Sequence, residues 1–324
     1  MKINPLIKII VASILIYFLS KYNFLDFSIL SSLHIALILK ILILISIIII
    51  LGTLKWYFLL KVQNINISLK DTFESYYIGY ALNYILFGIA GDIIKTLYLL
   101  KGNKNKIGIS LSVIIDRAIG LLSMIIIFFM FLPQIFLVND IFGFSNFLND
   151  NKNIYYSILI IVLILLFMFI KKCLNSRRIN KVILLFLYKY KNKVIKLIAK
   201  TFKILFTYRK SSLNLLINLL IAIFLQIVIG YSIFLIATDI LSETTSFSHN
   251  LVANIAVQAV SKLPISPGGI GVGEAAFAQV MYLLNNNILL QYASVLFIFR
   301  IFNMIYSIPG VIIYYLFIKN MVKK

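Results

Sequence analysis

The amino-acid sequence predicts an all-α integral membrane protein, and three observations support this fold class. Of the 324 residues, 62% are hydrophobic and only 13% are charged, and the mean hydropathy is +1.02. Apolar runs of about 20 residues, long enough to cross a bilayer as a helix, recur from end to end. One such run is broken by the glycine- and proline-rich stretch LPISPGGIGVGEAAF at 263–277. Broken backbone at membrane depth persists only where protein or water satisfies its polar groups, so this stretch is the first candidate for a functional site.

Six apolar segments are predicted to cross the membrane completely as helices. They are Ile3–Leu19, Leu33–Leu54, Ile107–Leu132, Ile154–Ile170, Leu213–Ala237 and Ile288–Ile318. No small-residue cleavage site follows the first of them, so we expect it to be a retained helix and not a signal peptide.

The distribution of basic residues predicts the orientation. The segment Lys171–Lys210 holds thirteen Lys or Arg and no acid, so the positive-inside rule places it in the cytoplasm, and both termini with it. Within this segment apolar residues recur at helical spacing between lysines, which predicts an amphipathic helix on the inner membrane surface. An ordinary cytoplasmic loop is the alternative.

Two further apolar segments do not fit as simple spans. Thr72–Leu100 lies between the lysine-rich loops Lys55–Lys70 and Lys101–Lys106, both assigned to the inside, whereas Leu251–Leu284 begins and ends beside sequence assigned to the outside. At about 1.5 Å per residue, neither is long enough for two complete spans and a turn. Each is therefore predicted to be a re-entrant helical hairpin, one from each face.

The two hairpins share a pattern. In each, a glycine and a carboxylate open the returning arm, at Gly91-Asp92 and at Gly273-Glu274. A span with a central arginine follows each of them, with Arg117 25 residues after the first acid and Arg300 26 residues after the second. The same unit in two opposite orientations is typical of an inverted repeat, whose binding site lies near the midplane where discontinuous helices meet. Chance similarity is the alternative.

This pattern predicts one polytopic membrane domain over residues 1–324. Repeat A covers about 1–132 and repeat B about 213–324. A connecting span and the basic segment, at about 154–212, lie between them.

The two arginines are candidate substrate-binding residues. Arg117 and Arg300 each lie 10 to 12 residues into a span. A charge at that depth costs at least about 2.5–3.5 kcal/mol, so it should face a partner or an aqueous cavity. Guanidinium groups could grip a lipid phosphate through forked hydrogen bonds. Structural ion pairs with Asp92, Asp116 or Glu274 are the alternative.

The acids and glycines of the breaks complete the candidate site. Asp92 and Glu274 stand where returning helices begin, so they either cap free N–H groups or act in substrate or proton coupling. Glycine permits tight turns and close approach of the backbone to a ligand. The remaining candidates are Asn83 on the entering arm, which may instead hydrogen-bond another helix, and Pro267, Gly268, Gly269, Gly271 and Gly273.

Other functional classes find little support. The net charge of +21 does not indicate nucleic-acid binding, because most Lys and Arg residues lie between apolar spans. His34 and His249 are isolated, so no metal site is expected, and no cofactor motif is present. The close acidic pair Asp239 and Glu243 is more simply a solvated loop than a catalytic pair.

These motifs give the chain a family resemblance. The residues Asn83, Gly91-Asp92-Ile93-Ile94-Lys95, Asp116-Arg117 and the stretch from Leu263 to Glu274 resemble the lysylphosphatidylglycerol synthase transmembrane-region family, also called flippase-like proteins. The resemblance covers nearly the whole chain. It implies a protein of a prokaryotic cytoplasmic membrane, similar to the lipid-flipping half of the bacterial synthases and to the membrane part of some archaeal glycosyltransferases.

The chain also departs from those proteins. Lysyl transfer in the synthases resides in a large soluble C-terminal domain, whereas this sequence stops at Lys324, just after the last span. No catalytic residue is therefore assigned. In the first break, Phe87-Gly88-Ile89 stands where the family often has a proline-containing turn.

The leading hypothesis is a non-enzymatic translocase for an anionic or modified phospholipid or a polyprenyl-linked glycan. The alternative is the membrane component of an aminoacyl- or glycosyltransferase that acts with a soluble partner. A scaffold for an envelope complex is a third possibility. The expected partners are membrane lipids, together with a lipid-modifying enzyme or glycosyltransferase in the second case.

Overall fold

A computed structural model of the protein describes residues 33–85, 90–100, 105–138, 211–241, 245–262, 265–285 and 291–322, with the single residues 17, 21, 157 and 208. These residues form eight α-helices and one short 3-10 helix, with no strand among them. The predicted spans Ile3–Leu19 and Ile154–Ile170 lie outside the described residues, apart from single positions. So does nearly all of the predicted amphipathic segment.

Four of the helices are long. They are α1 (Ile35–Val62), α4 (Lys106–Val138), α5 (Ser212–Ile240) and α8 (Tyr292–Val322). Each contains a stretch long and apolar enough to cross a membrane, as the sequence predicts for these four segments. The predicted end of the first of these spans, at Leu54, is wrong by two turns. Helix α1 continues to Val62 because Lys55 and Trp56, assigned to a loop, are both buried against other helices.

The other four helices are short and form two pairs. They are α2 (Leu69–Ile85), α3 (Ala90–Leu100), α6 (Phe247–Ser261) and α7 (Val272–Asn285). At 1.5 Å per residue they are about 17 to 26 Å long, shorter than the hydrocarbon core of about 30 Å. Helix α2 packs against α3, and α6 packs against α7. The structure thus has two helical hairpins at the positions where the sequence predicts them.

Isoleucines at helical spacing hold the long helices together. Ile41, Ile45 and Ile49 follow one another at intervals of four on α1 and belong to the largest apolar core, as does Ile233 of α5. Helix α8 joins this core with Phe299 and also packs against α2 of the first hairpin. The long helices therefore form a frame around both hairpins.

The outer surface exposes many large apolar side chains, and several charged side chains are buried, unlike in a soluble protein. Large apolar residues such as Ile35, Ile114 and Leu213 are 76%, 62% and 68% exposed. In contrast, the ionisable side chains of Lys95 and Glu274 are 4% and 0% exposed. This distribution is expected when the surrounding solvent is hydrocarbon, and it supports a multi-pass protein embedded in the membrane.

The single tryptophan, Trp56, gives a test of this packing. Its indole Nε1 donates a hydrogen bond of 2.9 Å to Ser112 Oγ, and both residues are fully buried. Replacement Ser112→Ala leaves a buried N–H without its acceptor, so we expect the free energy of unfolding to fall by about 1–3 kcal/mol. Unfolding in detergent, followed by Trp56 fluorescence, measures this loss. Ser110→Ala is the control, because Ser110 is exposed on the same helix; equal losses in the two variants would contradict the prediction.

Candidate functional site

A cavity of about 410 Å³ lies between the two hairpins. The first hairpin lines it through Asn83, at the end of α2, and Asp92, at the start of α3. The second lines it through α6 and through Gly268 in the turn before α7. Helix α8 adds Arg300, and α1, α4 and α5 contribute one residue each. The cavity therefore brings together sequence-predicted site residues from both halves of the chain.

One side of the cavity carries a chain of charges, buried except for the partly exposed Arg117, which we call the acid–base cluster. It consists of Lys55, Asp92, Lys95, Asp116 and Arg117. Asp92 lies 3.0 Å from Lys95 Nζ and accepts a hydrogen bond from Arg117. Asp116 lies 2.9 Å from Lys55 Nζ and 3.7 Å from Lys95 Nζ. With three cations and two carboxylates, the cluster has an excess of one positive charge.

Lys95 is the centre of this cluster. It is 4% exposed and contacts both carboxylates. Its ammonium group also lies 4.7 Å from the centroid of the Trp56 ring and 5.4 Å from that of Tyr76. These cation–π contacts offset part of the cost of burying the charge.

A second buried ion pair lies at the opposite wall. Arg300 Nη1 donates to Glu274 Oε2 at 3.1 Å, and Nη2 donates to Ser261 Oγ at 3.2 Å. The same oxygen of Glu274 accepts a 2.7 Å hydrogen bond from the backbone N–H of Gly271, just before α7 begins. Glu274 therefore caps a helix start, one of the two roles that the sequence left open for it, and also pairs with Arg300.

Both predicted arginines are paired within their own half of the chain. Arg117 contacts Asp92, and Arg300 contacts Glu274, which is the structural alternative the sequence offered. Arg300 also lines the cavity, whereas Arg117 adjoins it through Asp92. The adjacent Asp116 and Arg117 bind different partners, because neighbouring positions on a helix point about 100° apart.

The glycine-rich turn depends on backbone that only glycine adopts easily. Gly268, Gly269 and Gly271 have φ angles of +56°, +75° and +81°. A Cβ on Gly268 would lie 3.1 Å from the carbonyl oxygen of Tyr84, at the end of α2. The turn that begins with the 3-10 helix Pro267–Gly269 thus packs directly on the first hairpin.

Two glycines make room for the polar side chains of the second wall. A Cβ on Gly269 would lie 2.4 Å from Ser261 Oγ, and one on Gly273 would lie 2.1 Å from Arg300 Nη2. Both glycines are therefore needed for Arg300 to reach Ser261 and Glu274.

Sequence reasoning missed several residues of this site. Lys55 was assigned to an inner loop, and Asn254 and Lys262 were not singled out, although both line the cavity. The signal was the spacing on α6, where Asn254, Gln258 and Lys262 follow one another at intervals of four and form a polar stripe. Of these, Gln258 bonds reciprocally with Gln226 of α5, at 2.6 and 3.2 Å.

Three tyrosines that the sequence analysis did not single out also line the cavity. Tyr76, Tyr80 and Tyr84 follow one another at intervals of four along α2. Tyr80 donates a hydrogen bond to Asn303 of α8, which ties this wall to the frame.

The fold and the site define a polytopic α-helical membrane protein with a cavity between two helical hairpins that is lined in part by charged side chains. Comparison with known families identifies the group. The profile of the family described as Lysylphosphatidylglycerol synthase TM region matches residues 6–310, and the chain belongs to this family. Its members are membrane domains related to lipid modification or flipping. Comparisons with curated proteins and with solved structures gave no match.

Proposed function

We propose that this protein is a lipid translocase, which moves an anionic or modified phospholipid, or a polyprenyl-linked glycan, across the membrane. The observation that carries the proposal is the cavity. Charged and amide side chains lie among its apolar lining, and it is bounded by an excess of positive charge, in a protein whose outer surface is hydrocarbon-compatible. A headgroup crossing the bilayer needs such a place, because a bare charge in hydrocarbon costs several kcal/mol.

In this proposal the two hairpins are re-entrant and approach the midplane from opposite faces. Their short arms support this, as does the contact between Gly268 and the end of α2. The lysine-rich flanks of the first hairpin favour entry from the cytoplasm, where both termini also lie, in a prokaryotic membrane. The equivalent ion pairs of Asp92 and Glu274 with their arginines favour an inverted repeat.

The buried acids then keep the arginines in place. Glu274 orients the guanidinium of Arg300 at the cavity wall, and Asp92 holds Arg117 behind that wall. A phosphate entering the cavity would meet the preorganised donors of Arg300 without waiting for a side chain to order. The glycines of the turn supply close-approach backbone beside it.

The family match also favours a second candidate, the membrane component of a lipid-modifying transferase. Such a protein would hold its lipid in the same cavity while a partner enzyme acts on the headgroup. Transfer activity reconstituted from the purified chain and a soluble partner, with no lipid movement by the chain alone, would favour this candidate over the first.

Filling the cavity tests translocation without disturbing the ion pairs. Ile229 of α5 lines the cavity, and Ile229→Trp would place a large ring in it. We expect vesicles with the wild-type protein to move a labelled anionic phospholipid between leaflets faster than protein-free vesicles, and the variant to move it little faster than they do. A dithionite-quench assay measures this rate.

The matched control is Leu220→Trp, on the same helix but 57% exposed at the outer surface. It should keep the wild-type rate. The proposal is wrong if the wild-type protein moves no candidate lipid faster than empty vesicles, or if both tryptophan variants behave alike.

A further inference from the structure

The two carboxylate oxygens of Glu274 are in different situations. Oε2 accepts one hydrogen bond from Arg300 Nη1 at 3.1 Å and another from the Gly271 N–H at 2.7 Å. Oε1 is buried as well, in a residue that is 0% exposed, and has no hydrogen-bond partner among the described residues. Oε1 is therefore the atom at which a proton can bind without breaking either contact of Oε2.

The charges on the two sides of the cavity are balanced differently. In the acid–base cluster three cations face two carboxylates, so an additional anion there meets an excess of positive charge. Arg300, which lines the opposite wall, is already neutralised by Glu274. An anion that binds Arg300 places two negative charges on one buried cation, and two like charges that share a buried site do not both stay ionised without a large cost. One proton on Glu274 removes this conflict.

The elements packed against Glu274 bring few other charges to it. Helix α7 packs against α6, α8 and α4, and the turn before it packs against α2. Among the described residues, Arg300 is the one cation whose nitrogen lies within 4.0 Å of a Glu274 oxygen. The other titratable groups that these elements place around the site are Lys262 and His249 on α6, Asp116 and Arg117 on α4, and Tyr84 on α2.

We propose that Glu274 takes up a proton when an anion binds at Arg300, which makes the protein a proton-coupled carrier. The proton comes from water, forms an O–H bond at Oε1, and returns to water when the anion leaves. Because Oε2 keeps both of its hydrogen bonds, the guanidinium stays in place while its charge becomes available to the anion. This inference deepens the proposed function and rests on it for the movement of the anion across the membrane.

The coupling has a consequence for transport. A phosphodiester with one negative charge and one proton cross the membrane as a neutral unit, so the membrane potential does not oppose them. The buried charge of Arg300 is also never left without a partner, because either Glu274 or the anion neutralises it.

Calorimetric titration of the purified protein in detergent measures the proton directly. The probe is a short-chain phosphatidylglycerol, chosen because its phosphodiester keeps one negative charge across the neutral range of pH. Titrations in two buffers with different heats of ionisation give the number of protons taken up with each lipid. We expect the wild-type protein to take up a proton, and its affinity to rise as the pH falls by up to about tenfold per pH unit, the limit for one linked proton.

Glu274→Gln imitates the protonated acid. Its amide keeps an acceptor for Arg300 and Gly271 and carries no charge. We expect proton uptake to disappear, the affinity to become independent of pH, and the affinity at neutral pH to exceed that of the wild type about tenfold, as one released charge-assisted contact predicts. A folding defect would weaken binding and cannot produce this gain.

Two control variants test the other groups that can gain a proton. His249 hydrogen-bonds Asn285 at the far end of α7, and Lys262 lines the cavity. Neither forms an ion pair with Glu274, so His249→Gln and Lys262→Arg should keep the proton uptake; the arginine stays charged at every pH of the experiment. Loss of the uptake in either variant would assign the proton to that residue and overturn the inference.

The outcomes also separate this inference from the proposed function. Binding by the wild type without proton uptake and without pH dependence would overturn the coupling and leave the translocase proposal intact. Proton-linked binding by a protein that moves no lipid between leaflets would keep the proton site and contradict the translocase. Equal binding of glycerophosphoglycerol, the same headgroup without acyl chains, would make the anion a soluble one and contradict the translocase alone. A probe that binds at no pH would contradict both.

Discussion

Replacing Glu274 by alanine is expected to cost about 3–5 kcal/mol of the free energy of unfolding, the largest loss predicted for this protein. Glu274 is fully buried, and its partner Arg300 is 7% exposed. Without the carboxylate, Ser261 Oγ is the one hydrogen-bond acceptor left to the buried Arg300 charge among the described residues. Denaturant unfolding of the detergent-solubilised protein, followed by the fluorescence of Trp56, measures the change.

Two further variants show which property of Glu274 matters. Glu274→Gln keeps an acceptor for the Gly271 N–H and removes the charge, so a loss close to that of alanine would assign the effect to the ion pair. The double variant Glu274→Ala/Arg300→Met should recover much of the loss, because no unpaired charge remains.

The control is the surface pair of His34 and Asp239. Their side chains are 77% and 22% exposed, and the contact is 3.1 Å. Exposed pairs contribute about 0–1 kcal/mol, so Asp239→Asn should change stability little. If Glu274→Ala changes stability no more than Asp239→Asn, the buried pair does not have the role assigned to it.

Gly91→Ala is expected to force the two arms of the first hairpin apart. A Cβ at Gly91 would lie 2.1 Å from the backbone carbonyl oxygen of Gly79 and 2.5 Å from Asn83 Oδ1. A flexible side chain could move away, but a backbone carbonyl within α2 cannot move without shifting the helix. Overpacking of this kind costs about 1–3 kcal/mol or more. Thermal unfolding in detergent measures the loss.

The same substitution should impair the site as well as the fold. Asp92 follows Gly91 directly, so displacement of α3 moves the acid–base cluster away from α4. If the protein moves lipid as proposed, we therefore expect Gly91→Ala to move a labelled anionic phospholipid between leaflets more slowly than the wild type. Gly120→Ala is the matched control, because no described heavy atom lies within 4 Å of its Cβ position; it should gain about 0.5–1 kcal/mol as alanine in a helix interior. Equal stability of the two variants would contradict the packing described here.

Much of the fold could be predicted from local sequence. Four of the six predicted spans are long apolar helices, since a run of apolar residues and its length are properties of one segment. The two hairpins were also located, because glycine, proline and a carboxylate mark the breaks. The end of α1 could not be found in this way. Lys55 looks like a loop residue in the sequence because its partner, Asp116, lies sixty-one residues later in the chain. Only the structure shows that the two side chains are 2.9 Å apart.

The candidate site could be predicted only in part, for the same reason. Asn83, Asp92, Gly268 and Arg300 all line the cavity, as their places near the two breaks suggested. Whether the arginines were free or paired stayed open in the sequence, and the structure pairs both. The buried Lys55 was missed because charge counts along a chain do not reveal which lysines turn inward.

The sequence by itself determined the class of protein, its family resemblance and the two breaks at Asp92 and Glu274. Each of these depends on composition and on spacing within a short segment. Only the tertiary structure decided how the charges are distributed. It pairs four of the cations with carboxylates and leaves Lys262 beside the cavity without one among the described residues. Ion pairing at membrane depth depends on which helices pack together, and that arrangement is not a property of any single segment.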